Sequence, residues 1–226
     1  KEISTNTSVP FSSIKWDENT GQNSSTIYMG SVSGRFYRIE DAETPGTLTE
    51  LTADNFPKGY ISSSDVGQSP DTLLTTFSNY GIESVWITVD GGDTWTSIEG
   101  NLPDMPVRWG IFHPESSEHI MLATETGTWT TDDALAAEVI WKPEINGMAN
   151  VRVDMLRIRK ADNTVLAATH GRGLFSTSWD LNKTNSRIDF CLSEELKVYP
   201  NPTNGWFEVN TTILENSVLS IFDANG

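Results

Sequence analysis

Along most of the chain apolar and polar residues alternate in short runs, with the period of two that marks a β-strand with distinct faces. Ile61-Ser-Ser-Ser, Val107-Arg-Trp-Gly-Ile-Phe and Val153-Asp-Met-Leu-Arg-Ile each open such a run, at steps of 46 residues. A polar turn then leads to a second run, at 72–77, 119–124 and 164–169. Glycines follow at Gly81, Gly127 and Gly173, again 46 apart, and a third run at 84–89, 127–131 and 174–179. Upstream, Gly34 stands 47 residues before Gly81, between runs at 26–30 and 35–39. The repeat therefore has four copies. A fourth, outer run is predicted at 48–52, 94–98 and 139–142, and none after Trp179. Helical periodicity is missing: residues 133–138 are too few to form a helix unaided and read as a decorated loop.

One meander of three or four short strands in about 40–50 residues cannot bury both faces of its sheet, and side-by-side stacking around an axis solves that problem. The pattern predicts an all-β fold, a β-propeller over residues 1–179 with four blades visible. A sandwich of unrelated strands would not keep a constant step. The missing outer run of the last copy predicts an N-terminal strand returning to complete that blade. Residues 180–195 carry neither period nor glycine turns and read as a linker. From 196 to 226 a new unit begins, whose Ser217–Gly226 text alternates and ends in an Asn-Gly turn.

Composition narrows the function. The 226 residues carry 15 Lys+Arg against 31 Asp+Glu, a formal net charge of -16, which opposes nucleic-acid binding. Residues 1–150 hold almost all of that excess. Cys191 is the single cysteine, so neither a disulfide framework nor a cysteine-based zinc site is available. No run reaches the roughly 18 apolar residues of a membrane span. The start at Lys1, with neither Met nor a leader pattern, reads as part of something longer.

Candidate chemistry is sparse. Asp65 and Asp154 sit at similar places two copies apart and could face one another across a channel as a carboxylate pair. His113, His119 and His170 lack the spacing of metal ligands, so no metal site is predicted. The acidic turn Asp90-Gly-Gly-Asp93 has carboxylates for calcium but not the dense alternating ligands of a loop site. Arg152, Arg157, Arg159, Lys160 and Arg172 form a basic cluster that is either a local anion site or the solvent face of a strand.

Thr88-Val-Asp90-Gly-Gly92-Asp-Thr94-Trp95 resembles the Asp-box, the bacterial neuraminidase repeat, at all five motif positions: Thr88, Asp90, Gly92, Thr94 and Trp95. The local physics is that Asp90 accepts hydrogen bonds within its own turn, Gly92 supplies a positive φ, and Trp95 folds back as an apolar anchor. The third copy keeps Thr130 and Asp132 but inserts residues before Trp141. The resemblance implies a structural device rather than catalytic residues, and a ring of six or more blades with further blades N-terminal to these. Such propellers include sialidases, other glycoside hydrolases, sortilin-type receptors and photosystem assembly factors. The expected function is a non-catalytic binding or structural module with a carbohydrate or protein ligand; the alternative is a glycoside hydrolase whose active site lies partly outside this chain.

Tyr199-Pro200-Asn201-Pro202, Gly205 followed by Phe207 and Val209, and Ile221-Phe-Asp223-Ala-Asn-Gly226 resemble the opening of the type A C-terminal sorting domain of the type IX secretion system. Pro200 and Pro202 fix φ and remove two backbone donors, giving a rigid extended entry, and Gly205 permits the turn into the first strand. Ala168–Phe175 also looks like the last blade of propellers exported by this route. The resemblance implies an immunoglobulin-like sandwich of about seven strands, of which three strands' worth of text is present. It further implies export through the periplasm and outer membrane of a Gram-negative bacterium to the cell surface or medium. The implied partners are the translocon and the outer-membrane shuttle or sortase-like components, engaging residues 196–226.

Overall fold

The computed structural model describes residues 9–18, 25–42, 46–144, 147–148 and 150–181, and the backbone of 197–199 and 208–210. It divides into two compact units, Lys1–Trp179 and Asp180–Gly226. In the first unit, strands β1 (Phe11–Trp16), β2 (Ile27–Ser31), β3 (Phe36–Glu40) and β4 (Thr47–Glu50) form one antiparallel sheet in chain order. Strands β5 (Ile61–Val66), β6 (Leu73–Phe77), β7 (Val85–Thr88) and β8 (Thr96–Ser97) form the second. The third holds β9 (Val107–His113), β10 (Ser116–Thr124), β11 (Gly127–Thr131) and β12 (Lys142–Glu144), and the fourth holds β13 (Val153–Arg159), β14 (Thr164–Thr169) and β15 (Gly173–Ser178). In the second unit β16 (Lys197–Tyr199) pairs with β17 (Glu208–Asn210). No helix occurs among the described residues.

Two expectations need correction. The outer run predicted at 139–142 forms its strand at Lys142–Glu144 instead, because Val139 and Trp141 turn inward and are buried. The strand expected to return and complete the last blade is not what β1 does. It pairs with β2 as the first strand of the first sheet, and among the described residues the fourth sheet stays three-stranded.

Each interior sheet is buried on both faces, and alternation divides its residues between two cores. Leu73 of β6 joins Tyr28, Phe36 and Ile61 toward the first sheet, while Leu74 joins Ile120 and Leu122 toward the third. Met121 and Ala123, alternating with those two along β10, pack with Leu156 and Val165 of the fourth sheet. Strand β6 (LLTTF) is buried throughout, which suits β-branched and apolar residues at the middle of a sheet. Gly110 permits the close approach of β9 to β6, since a Cβ there would stand 2.8 Å from the Leu74 side chain.

The four first strands share a bulge, in which one extra residue interrupts pairing with the second strand. Register skips Ser12 between Phe11 and Ser13, Ser62 between Ile61 and Ser63, Arg108 between Val107 and Trp109, and Asp154 between Val153 and Met155. The bulge aligns the copies residue by residue. Three positions past it stand Lys15, Asp65, Ile111 and Arg157, one layer drawn from all four first strands.

Candidate functional site

Two constructions concentrate polar chemistry: the β7–β8 hairpin, and the channel walled by β1, β5, β9 and β13. In the hairpin the Thr88 hydroxyl donates to Asp90 Oδ1 at 2.6 Å, the Thr94 amide donates to the same oxygen at 2.9 Å, and the Thr94 hydroxyl donates to Oδ2 at 2.5 Å. These donors, Thr88 first, hold the Asp90 carboxyl well below the usual carboxylate range. Both carboxylate oxygens are thus engaged inside the turn. Gly92 (φ 101°) lies where a Cβ would stand 3.1 Å from Leu51, so both its conformation and its closeness favour glycine. Trp95 is buried, donates from Nε1 to the Leu51 carbonyl at 3.0 Å, and meets Phe36 and Phe56 edge-on. All five motif residues thus act inside one local framework.

The same anchor recurs one sheet on. Trp141 Nε1 donates to the Ile98 carbonyl at 2.8 Å, and Asn101 Nδ2 donates to the Trp141 carbonyl, as Asn55 Nδ2 does to that of Trp95. Trp95 and Trp141 are 46 residues apart, as are Asn55 and Asn101. The insertion that obscured the third copy is absorbed by the loop at 132–140, and the tryptophan keeps its place.

The channel encloses about 350 Å³ and draws its wall from the first strand of each of the four sheets of the first unit, with the residues that follow. Serines of the bulge clasp neighbouring strands: Ser12 donates to the Ile61 carbonyl at 2.7 Å, and Ser62 to the Val107 carbonyl at 2.6 Å. Asp65, 8 % exposed, ties three sheets together. Its Oδ1 stands 2.9 Å from Lys15 Nζ of β1, and its Oδ2 accepts from the Phe112 amide of β9 at 2.8 Å. Across the channel Glu18, just past β1, meets Lys160, just past β13, at 2.9 Å. The Lys160 hydrogen bond is the main cause that holds the Glu18 carboxyl below its ordinary range, against partial burial. Arg157 lays its guanidinium over the Trp109 ring at 5.3 Å.

The expected carboxylate pair is not brought together. Asp65 and Asp154 are not equivalent positions, because the bulge places Asp154 level with Ser62 and Arg108. Asp154 is not part of the channel wall and pairs instead with Arg152 (2.6 Å) and His170 (3.4 Å). The basic cluster also disperses. Arg159 pairs with Asp162, Lys160 with Glu18 and Arg152 with Asp154, leaving Arg157 and Lys160 on the channel wall. His113 is buried, donates from Nε2 to the Trp179 carbonyl at 2.8 Å and accepts at Nδ1 from the Glu115 amide. His119 bonds Ser116, and no group of three metal-ligating side chains occurs among the described residues. Of the sorting-signal residues, Tyr199 ends β16 and the remainder lie outside the described residues. Sequence reasoning missed the clasp serines, which carry no signature in a chain this rich in Ser and Thr, and the layer Lys15, Asp65, Ile111 and Arg157, whose last three members keep the 46-residue step while Lys15 is placed only by the register.

Among solved structures, the chain is similar to the β-propeller domain of Myceliophteria thermophila Cps50 (Swd1), at 15 % identity and a TM-score of 0.57, over 76 % of this chain and 53 % of that one. It is also similar to the Niastella koreensis GH74 enzyme (19 %, TM-score 0.50, 79 % of this chain and 30 % of that one). An ancestral GH74 enzyme gives 14 % and 0.56, over 74 % and 27 % respectively. No protein-family model and no curated protein sequence matches. The fold is a β-propeller, and the chain spans about half of the Swd1 propeller domain and under a third of either GH74 enzyme.

Proposed function

We propose that this chain is part of a propeller that binds its ligand without transforming it, built on an Asp-box hairpin and exported through a type IX route by the signal in residues 196–226. The observation that carries the binding reading is the placement of Asp65. The inner-strand carboxylate best placed for acid–base work is spent on Lys15 and the Phe112 amide, and its presumed partner Asp154 faces other groups. The Asp90 hydrogen bonds support the Asp-box assignment, and the Tyr199–Pro202 text supports the sorting signal.

A ring larger than four blades is supported by exposure. Residues two and four places past the bulge pack on the preceding sheet in interior copies, as Phe112 and Leu156 do. Their equivalents in the first sheet, Ile14 and Trp16, are 71 % and 60 % exposed. They wait for a neighbour of the kind that buries the others.

The alternative, a glycoside hydrolase, draws on the two GH74 enzymes of similar fold. Deleting residues 196–226 and following the protein in a host with the type IX machinery tests the export reading: retention in the periplasm is expected, and undiminished release outside the cell would refute it. Release of reducing ends from a polysaccharide panel, abolished by a carboxylate substitution that leaves folding intact, would favour the hydrolase.

A further inference from the structure

We propose that the channel wall binds a carboxylated saccharide, its carboxylate received by Arg157 and Lys160 where Glu18 now stands; this rests on the reading of the channel as a ligand site.

Charge bookkeeping along the wall leads there. The chain as a whole carries -16, yet the described wall holds three cations, Lys15, Arg157 and Lys160, against two acids, Glu18 and Asp65. Asp65 is consumed by Lys15 and a backbone amide. Glu18 is shared between Lys160 at 2.9 Å and Lys15 at 3.9 Å. Arg157 makes no close ion pair of its own within the wall, and its charge acts on Glu18 beside those of Lys160 and Lys15. Its guanidinium rests on the Trp109 ring, a stack that holds the planar fork while leaving its edge donors free for a bidentate carboxylate.

Glu18 has the character of a stand-in ligand. Its side chain is half exposed and crosses from the first sheet to the fourth, where it meets Lys160. An exposed pair of this kind contributes little to folding, so an incoming carboxylate can replace it at small cost.

The rest of the wall suits a polyol rather than an apolar anion. Gln68 and the serines of β1 and β5 line it with hydroxyl and amide groups. The volume, about 350 Å³, lies at the small end of ligand cavities and suits a short oligosaccharide.

Calorimetric titration of the full chain with trigalacturonic acid, and separately with its fully methyl-esterified counterpart, tests the proposal. The expected result is binding of the acid, weakened at least about tenfold by R157Q, weakened by added salt, and strengthened by E18Q, which removes the internal competitor. A gain on E18Q cannot come from damaged folding. Equal binding of acid and ester, or indifference to R157Q and E18Q, overturns the carboxylate assignment. If the ester binds and W109A abolishes that binding, the channel remains a ligand site and only the anionic class fails. Absence of binding by both compounds overturns the inference and counts against the binding reading as well.

Discussion

Replacing Asp65 separates a structural carboxylate from a catalytic one. In D65A the Phe112 amide loses its acceptor and Lys15 its nearer partner, 2.9 Å away. Breaking a buried ion pair costs about 3–5 kcal/mol. The lower end applies, since Lys15 is a quarter exposed and keeps Glu18 at 3.9 Å. D65N retains an oxygen for the amide and loses only the charge, so about 1–2 kcal/mol is expected. At about 2–4 °C per kcal/mol for a chain of this size, D65A lowers Tm by roughly 6–12 °C and D65N by roughly 2–8 °C. Urea unfolding should show a lower midpoint at unchanged slope. Adding K15M to D65A should cost less than the sum of the single changes, because each alone strands the other's partner. The reasoning is refuted if D65A unfolds within about 0.5 kcal/mol of the parent, or if D65A and D65N are equally damaging.

W141F removes the Nε1 donor and leaves the Ile98 carbonyl buried without it, an expected loss of about 1–3 kcal/mol. W95F should cost a similar amount at Leu51, and the two should add because they sit in different cores; equilibrium unfolding of both singles and the double checks this. D90N removes a carboxyl whose folded-state affinity for protons is depressed. Such a group stabilises fully above the ordinary carboxylate range near pH 4 and loses that contribution as pH falls below it. The Tm gap between parent and D90N should therefore shrink from about pH 6 to about pH 3, and a gap independent of pH would contradict the hydrogen-bonding account.

The repeat was legible because glycine turns and alternating runs return at a fixed step, and its reading as consecutive blades matches the sheets observed. The hairpin was legible because its hydrogen bonds are local, all within Thr88–Trp95. What escaped the sequence depends on insertions and on register. Strand β1 starts 50 residues before β5, off the period, so Phe11–Trp16 did not register as a copy's first strand. The loop at 132–140 displaced the motif spacing ahead of Trp141. Asp65 and Asp154 lie 89 residues apart, three short of two full steps, and therefore stand at different levels of their strands. The pairing of Glu18 with Lys160, 142 residues apart, has no local trace at all.

That last contact bears most directly on the claim that the four sheets turn around one channel rather than lie in an open row. Cysteines placed at Glu18 and Lys160, with Cys191 changed to Ser, can be joined by a short bis-maleimide and the product resolved on a denaturing gel. The account predicts an intramolecular cross-link in the folded monomer that disappears in urea, with an exposed neighbouring pair at Arg159 and Asp162 as the linking control. A control pair that links while positions 18 and 160 do not would contradict it.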